Sequence, residues 1–175
     1  MSSVTFKGNA VKLEGNTLNV GDDAPVVTLK AQDLSDIVVG EKGKTQVILT
    51  VPSLDTPVCA TEAREFNKNA AGAAAEVIVV SQDLPFAMGR FCTTEGIENL
   101  RVASDFVSKE LAQKYGVLIA DSALKGLLAR AVFVIKDGKI AYKEIVKEIT
   151  EMPNVQALKE FMSSSCGCSC GCAVK

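Results

Sequence analysis

Histidine and tryptophan do not occur in the 175-residue sequence. The missing histidine excludes Ser-His-Asp and Cys-His catalysis, and every zinc site that needs imidazole. A cysteine nucleophile in this chain must instead draw on a helix N-terminus, a nearby Arg or Lys, or hydrogen-bond donors. A basic surplus is also missing: 19 Lys and Arg face 21 Asp and Glu, for a net charge of −2. That balance does not attract phosphate backbones, so no nucleic-acid partner is expected. No apolar run is long enough to cross a membrane, and the N-terminal stretch MSSVTFKGNAVKLEG lacks the apolar core of a signal peptide. These absences predict a cytoplasmic protein with no membrane partner and with thiols mostly reduced at rest.

The chain is otherwise ordinary for a globular protein, with 47% apolar and 23% charged residues. Its length fits one domain with a sizeable core. The alternation in VTFKG and AVKLEGNTLNVG predicts an N-terminal β-hairpin. Strands are predicted near Val26–Lys30, at Gln46–Val51, at Glu76–Ser81, at Arg101–Ser104 and at Ala131–Ile135. The run QVILTV has the continuous apolar character of a central strand covered on both faces. Helices are predicted from Cys59 to about Ala71, from Pro85 to about Thr93, over Phe106–Tyr115 and over Asn154–Met162. Asp137-Gly138 is a type I′ hairpin signal leading into a strand at Lys139–Lys147. The order implies an α/β three-layer sandwich: one central mixed sheet, helices on both faces, and a hairpin at the N-terminus. The domain spans residues 1–162. At Ser163 the composition changes to Gly and Ser alternating with Cys, which predicts a flexible tail over 163–175.

Six cysteines fall into two groups. Cys59 and Cys92 lie in the body; Cys166, Cys168, Cys170 and Cys172 crowd the tail. Cys59 follows a buried strand and the loop Pro52-Ser53-Leu54-Asp55-Thr56. Thr56 reads as a helix N-cap and Pro57 as the first helical residue, which puts Cys59 at the third position. Free N–H groups and the helix dipole there favour an anion. Position alone leaves two readings open, a small apolar residue packed in the first turn and a reactive thiol. Arg64, about one turn further on, is a candidate to face Cys59.

The stretch PSLDTPVC fits the P-x-x-x-T-x-x-C pattern of peroxiredoxins, with Pro52, Thr56 and Cys59 in its fixed places. DLPFAMGRFC, VASDF, YGVLIAD, LKGLLARAVFVI and GNAVKLEG extend the resemblance to the atypical two-cysteine branch over roughly residues 3–162. The resemblance implies a thioredoxin-like fold and a peroxidase that needs no cofactor and reduces hydrogen peroxide and organic hydroperoxides. Cys59 would attack the peroxide as a thiolate and become a sulfenic acid. Thr56 would hydrogen-bond thiolate and peroxide, Pro52 would shield the site from water, and Arg130 would hold the thiolate. Arginine suits that task, since its charge is permanent and its planar fork offers several donors. Without the resemblance, Arg130 reads as a solvated charge at the start of a strand. Cys92 would resolve the sulfenic acid as an intramolecular disulfide, recycled by thioredoxin or a similar dithiol, with local rearrangement of Pro85–Thr93. A homodimer is also implied.

The tail departs from that family. Its C-x-C-x-C-x-C run offers ligands for a soft metal such as Zn(II) or Cu(I), an extra thiol reductant for Cys59, or merely a disordered appendage. A metal-binding protein with the body as scaffold is therefore a second class of function. A thioredoxin-like disulfide exchanger is a third, but it would want C-x-x-C at the helix start, where this chain has Glu62.

Overall fold

The computed structural model describes residues 2–70 and 74–166. The N-terminal hairpin pairs β1 (Ser3–Phe6) with β2 (Asn9–Glu14). Lys7 and Gly8 between them have φ of 50° and 79°, the left-handed pair of a type I′ turn. A seven-stranded sheet forms the centre. Its middle is three parallel strands, β5 (Thr45–Thr50), β6 (Glu76–Ser81) and β7 (Arg101–Ser104). On one side β3 (Val27–Ala31) pairs antiparallel with β7, and β4 (Asp36–Val39) with β3. On the other side β9 (Ala131–Lys136) runs antiparallel to β5, and β10 (Lys139–Ile145) to β9. The two-residue β8 (Leu118–Ile119) pairs with β2 in a separate three-stranded sheet.

The strand period of two sends alternate side chains to opposite faces. In β5, Val47 and Leu49 join an apolar cluster with Ala63 and Phe66 of α1 (Pro57–Ala70), Met88 and Phe91 of α2 (Pro85–Glu95) and Leu158 of α4 (Val155–Cys166). Ile48 points the other way. It joins Leu111 and Ala112 of α3 (Glu110–Lys114) and Val11 and Leu13 of the hairpin. The three layers expected from the sequence are therefore present, with the hairpin helping α3 to cover one face.

Four elements differ from the sequence reading, among them the two-residue β8, which was not expected. β4 was not expected; it is a four-residue edge strand. The helix expected over Phe106–Tyr115 is only Glu110–Lys114, because the buried Asp105 carboxylate accepts hydrogen bonds from the Leu111 and Ala112 N–H groups and fixes the helix start there. Phe106 is left 39% exposed, whereas Leu111 and Tyr115 are core residues as expected. The last helix runs on past Met162 to Cys166.

The carboxyl ends of β5, β6 and β7 share one edge of the sheet. The loops that leave them are laced together: Val51 N–H donates to Val80 O at 3.0 Å, and Asp105 N–H to Ser81 O at 3.0 Å. In open α/β sheets that edge is where sites form.

Candidate active site

The loop after β5 delivers Cys59 to that edge. Pro52 is buried and ends the strand. Thr56 caps α1: its hydroxyl donates to Ser53 O at 3.1 Å and accepts from Cys59 N–H at 3.4 Å. Pro57 opens the helix, and Cys59 is fully buried at the third helical position. The local reading of this segment matches the structure residue for residue.

Arg130, immediately before β9, reaches Cys59 from the strand paired with β5. Its Nη2 donates to Cys59 Sγ at 3.2 Å, its Nε donates to Ile149 O at 3.0 Å, and its Nη1 donates to Glu62 Oε2. Arg130 is 2% exposed, so it is not a solvated charge at a strand start. A permanent cation therefore lies directly against the sulfur in a water-poor setting. Thr56 and Arg130 thus both contact Cys59, and Pro52 is buried at the head of the same loop. Arg64 does not join them. Its guanidinium lies on the outer side of α1, where it bonds Glu95 Oε2 and, at 3.2 Å, Thr61 Oγ1.

Sequence reasoning gave Glu62 no role beyond its not being a cysteine. The structure buries it at 1% exposure, paired with Arg130. A signal existed: positions 59, 62, 63 and 66 form the inward stripe of α1, and an acid in an apolar stripe requires a buried cation. Burial pushes the Glu62 carboxyl up to about 7, against the opposing pull of Arg130. Its Oε1 has no hydrogen-bond partner among the described residues.

Cys92 lies on α2, in the same apolar cluster as Cys59. The two thiols are free. Burial pushes the Cys92 thiol up, so in this packing it is a poor nucleophile. A cavity of about 200 Å³ opens beside it, lined by Gln32, Asp33, Ser35, Glu98 and Arg101 among others. An apolar recess of about 230 Å³ flanks the first turn of α1, between Pro57, Val58 and Thr61 and the segment carrying Thr150 and Met152. Among the described residues no cluster of three or more metal-ligating side chains occurs. Cys168, Cys170 and Cys172, and the side chain of Cys166, lie outside the described residues.

A thioredoxin-like sheet with a capped, arginine-bound cysteine at its carboxyl edge defines a cysteine-based redox domain. Comparison with known proteins agrees. The Redoxin family model matches residues 19–159. A thiol peroxidase of Campylobacter jejuni is 71% identical over 174 residues, covering 98% of this chain and 99% of its own. One of Aquifex aeolicus is 56% identical over 155 residues, covering 87% and 91%. The crystal structure of a peroxiredoxin-like protein from Aquifex aeolicus superposes with a TM-score of 0.90 at 51% identity, covering 94% of this chain and 97% of that one. A thiol peroxidase from Chromobacterium violaceum shares the fold with a TM-score of 0.84 at 19% identity, covering 93% and 96%. The chain belongs to the redoxin family, in its thiol peroxidase branch.

Proposed function

We propose that the chain is a peroxidase that reduces hydrogen peroxide and organic hydroperoxides through Cys59. The observation that carries the reading is the 3.2 Å contact of the Arg130 guanidinium with the Cys59 sulfur, at the first turn of a capped helix. The thiolate attacks one peroxide oxygen. A sulfur–oxygen bond forms, the O–O bond breaks, and its electron pair departs with the other oxygen, which takes a proton and leaves as water or alcohol. Arg130 holds the thiolate and neutralises charge on the leaving oxygen. The Thr56 oxygen, its own proton engaged by Ser53 O, can accept from the peroxide hydroxyl. Pro52 keeps bulk water from the sulfur. The recess beside α1 can take the alkyl part of an organic substrate.

Cys92 then attacks the sulfenic sulfur. A disulfide forms, the S–O bond breaks, and hydroxide leaves as water. Cys59 and Cys92 share one apolar cluster of the same chain, which supports an intramolecular product. A dithiol protein of the thioredoxin kind restores the thiols by exchange and is itself oxidised. Because the cycle consumes reducing equivalents that the cytoplasm maintains, we place the enzyme there. We further read it as a homodimer. Leu84, Phe86, Phe106 and Val107, in the segments that follow β6 and β7, are 53%, 72%, 39% and 67% exposed, and they are apolar surface that a second copy would cover.

One experiment tests the core of this. Mass spectrometry after one equivalent of peroxide should show a Cys59–Cys92 disulfide, and Cys59→Ser should consume no peroxide. Oxidation confined to other sulfurs would end the reading.

A further inference from the structure

The loop that carries Thr56 and Cys59 is fastened from outside by one side chain. Asp83, in the loop between β6 and α2, accepts the Ser53 hydroxyl at 2.8 Å on one carboxylate oxygen and the Leu54 N–H at 2.7 Å on the other. It is itself held in place. The Ser81 hydroxyl donates to its Oδ2 at 2.8 Å, its N–H donates to the Ser81 hydroxyl at 3.1 Å, and the Ser104 hydroxyl donates to its carbonyl. One residue thus joins the loops leaving β5, β6 and β7. Among the described residues the other tie from residues 53–55 to a different element is a 4.0 Å ion pair between Asp55 and Arg90, both well exposed.

The fastening lies one step from the reacting sulfur. Ser53 O accepts from both the hydroxyl and the N–H of Thr56, at 3.1 and 3.3 Å, and the Thr56 oxygen accepts from Cys59 N–H at 3.4 Å. The carbonyl that fixes where the Thr56 oxygen points therefore belongs to a residue whose side chain is gripped by Asp83.

We propose that Asp83 is a positioning residue for peroxide attack: by clamping Ser53 and Leu54 it aims the Thr56 oxygen beside the Cys59 sulfur. This rests on the reading of Cys59 as the sulfur that meets peroxide. Without the clamp, residues 53–55 keep the buried Leu54 side chain as an anchor, but the Ser53 carbonyl loses its fixed direction. Misaiming by about 1 Å costs on the order of a hundredfold in rate.

The test uses the full chain carrying Cys92→Ser, so that oxidation stops at the sulfenic acid. Hydrogen peroxide is the probe, and dimedone trapping on Cys59 is followed by mass spectrometry. Asp83→Ala should oxidise about tenfold to a hundredfold more slowly than the parent. Asp83→Asn keeps an acceptor for Leu54 N–H and should recover most of the rate. Ser53→Ala removes one grip without touching a charge and should slow oxidation several-fold with an unchanged circular dichroism spectrum, which decides the matter if Asp83→Ala does not fold. Parent-like rates in Asp83→Ala, or in Ser53→Ala where the alanine variant fails to fold, overturn the proposal, as does an asparagine variant no faster than the alanine one. If the parent itself yields no trapped sulfenic acid on Cys59, the underlying reading has failed instead.

Discussion

Arg130→Lys probes the charge around which the site is arranged. The guanidinium satisfies the Cys59 sulfur, the Glu62 carboxylate and the Ile149 carbonyl at once, from three different nitrogens. A lysine ammonium has one nitrogen and cannot reach all three. One ammonium cannot reproduce the guanidinium's separate bonds to Glu62 and to the sulfur, so the bond to the sulfur is the contact the variant tests. A full unit charge at the observed 3.2 Å is worth about 5 kcal/mol at an effective dielectric near 20, an upper bound because lysine stays cationic nearby. The missing charge-assisted hydrogen bond is worth about 1.5–3 kcal/mol. That converts to a slowing of about tenfold to 150-fold in Cys59 oxidation. Stopped-flow mixing with hydrogen peroxide under single-turnover conditions reads this directly. A lysine variant within about threefold of wild type, below 1 kcal/mol of barrier, would refute the role given to the guanidinium. Arg130→Gln separates activity from folding. It strands the buried Glu62 carboxylate and should cost about 3–5 kcal/mol of stability. Adding Glu62→Gln should return much of that stability and none of the rate. A double variant no more stable than the single would show that the ion pair does not hold Arg130 in place.

Cys92→Ser should permit one rapid oxidation of Cys59 and then block thioredoxin-linked turnover; steady-state rates equal to wild type would remove Cys92 from the resolving role. Deleting residues 167–175, which leaves α4 intact, should not change peroxide consumption; metal analysis of the full-length and shortened proteins then tests whether the tail cysteines bind a soft metal. Glu148 accepts from Thr5, Lys7 and Gly8 of the hairpin, and these bonds lower its carboxyl to about 2. A lowered folded-state value means its contribution is present above about 4.5 and is lost as the pH falls through about 2. The Lys7 and Gly8 amide resonances should therefore shift together near pH 2, and a midpoint near 4.5 would show that Glu148 does not hold the hairpin.

What the sequence revealed of this site, and what it hid, follows from the range of the interactions. The Thr56 cap, Pro57 and the place of Cys59 obey rules that act within four residues, so they could be read directly. Arg130 could not. Its partners lie 68 and 71 residues away along the chain, and only the family resemblance pointed to it. Glu62 and Asp83 were missed for the same reason, since each matters through a group brought close by the fold. In the fold, the long apolar strands stood out because burial on both faces leaves a continuous signal. β8, of two residues, is too short to carry one, and β4 is an edge strand only part of whose four residues are buried. The overlong helix at 106–115 came from treating Phe106 as a core residue, whereas the left-handed Lys109 at the N-cap and the Asp105 carboxylate that accepts from the Leu111 and Ala112 N–H groups put the start of the helix at Glu110.

The proposed resolving step also needs a helix that can let go. Cys92 is buried, so its sulfur must leave its packing before it can meet Cys59. α2 is built for that. It has 11 residues, below the length at which an isolated helix holds in water. Leu84 at its N-cap supplies no side-chain hydrogen bond, and no acid stands in its first turn to meet the dipole. Gly89 lies in its middle, and Phe86 projects 72% exposed. Its polar anchors stand at its ends, while Met88 and Phe91 hold its middle through apolar packing alone. Asp83 grips the segment just before it. At its C-terminal end Arg64 pairs with Glu95, and Asn67 accepts from the N–H groups of Glu98 and Asn99 at 3.0 and 2.7 Å. Unwinding for the proposed resolving step would then be confined to the stretch between those polar anchors, which contains Cys92, with the clamp on the Cys59 loop left closed. In the proposed cycle the thiol that must move sits in a stretch held by packing without polar ties, and the thiol that must stay aimed sits behind the hydrogen-bonded clamp.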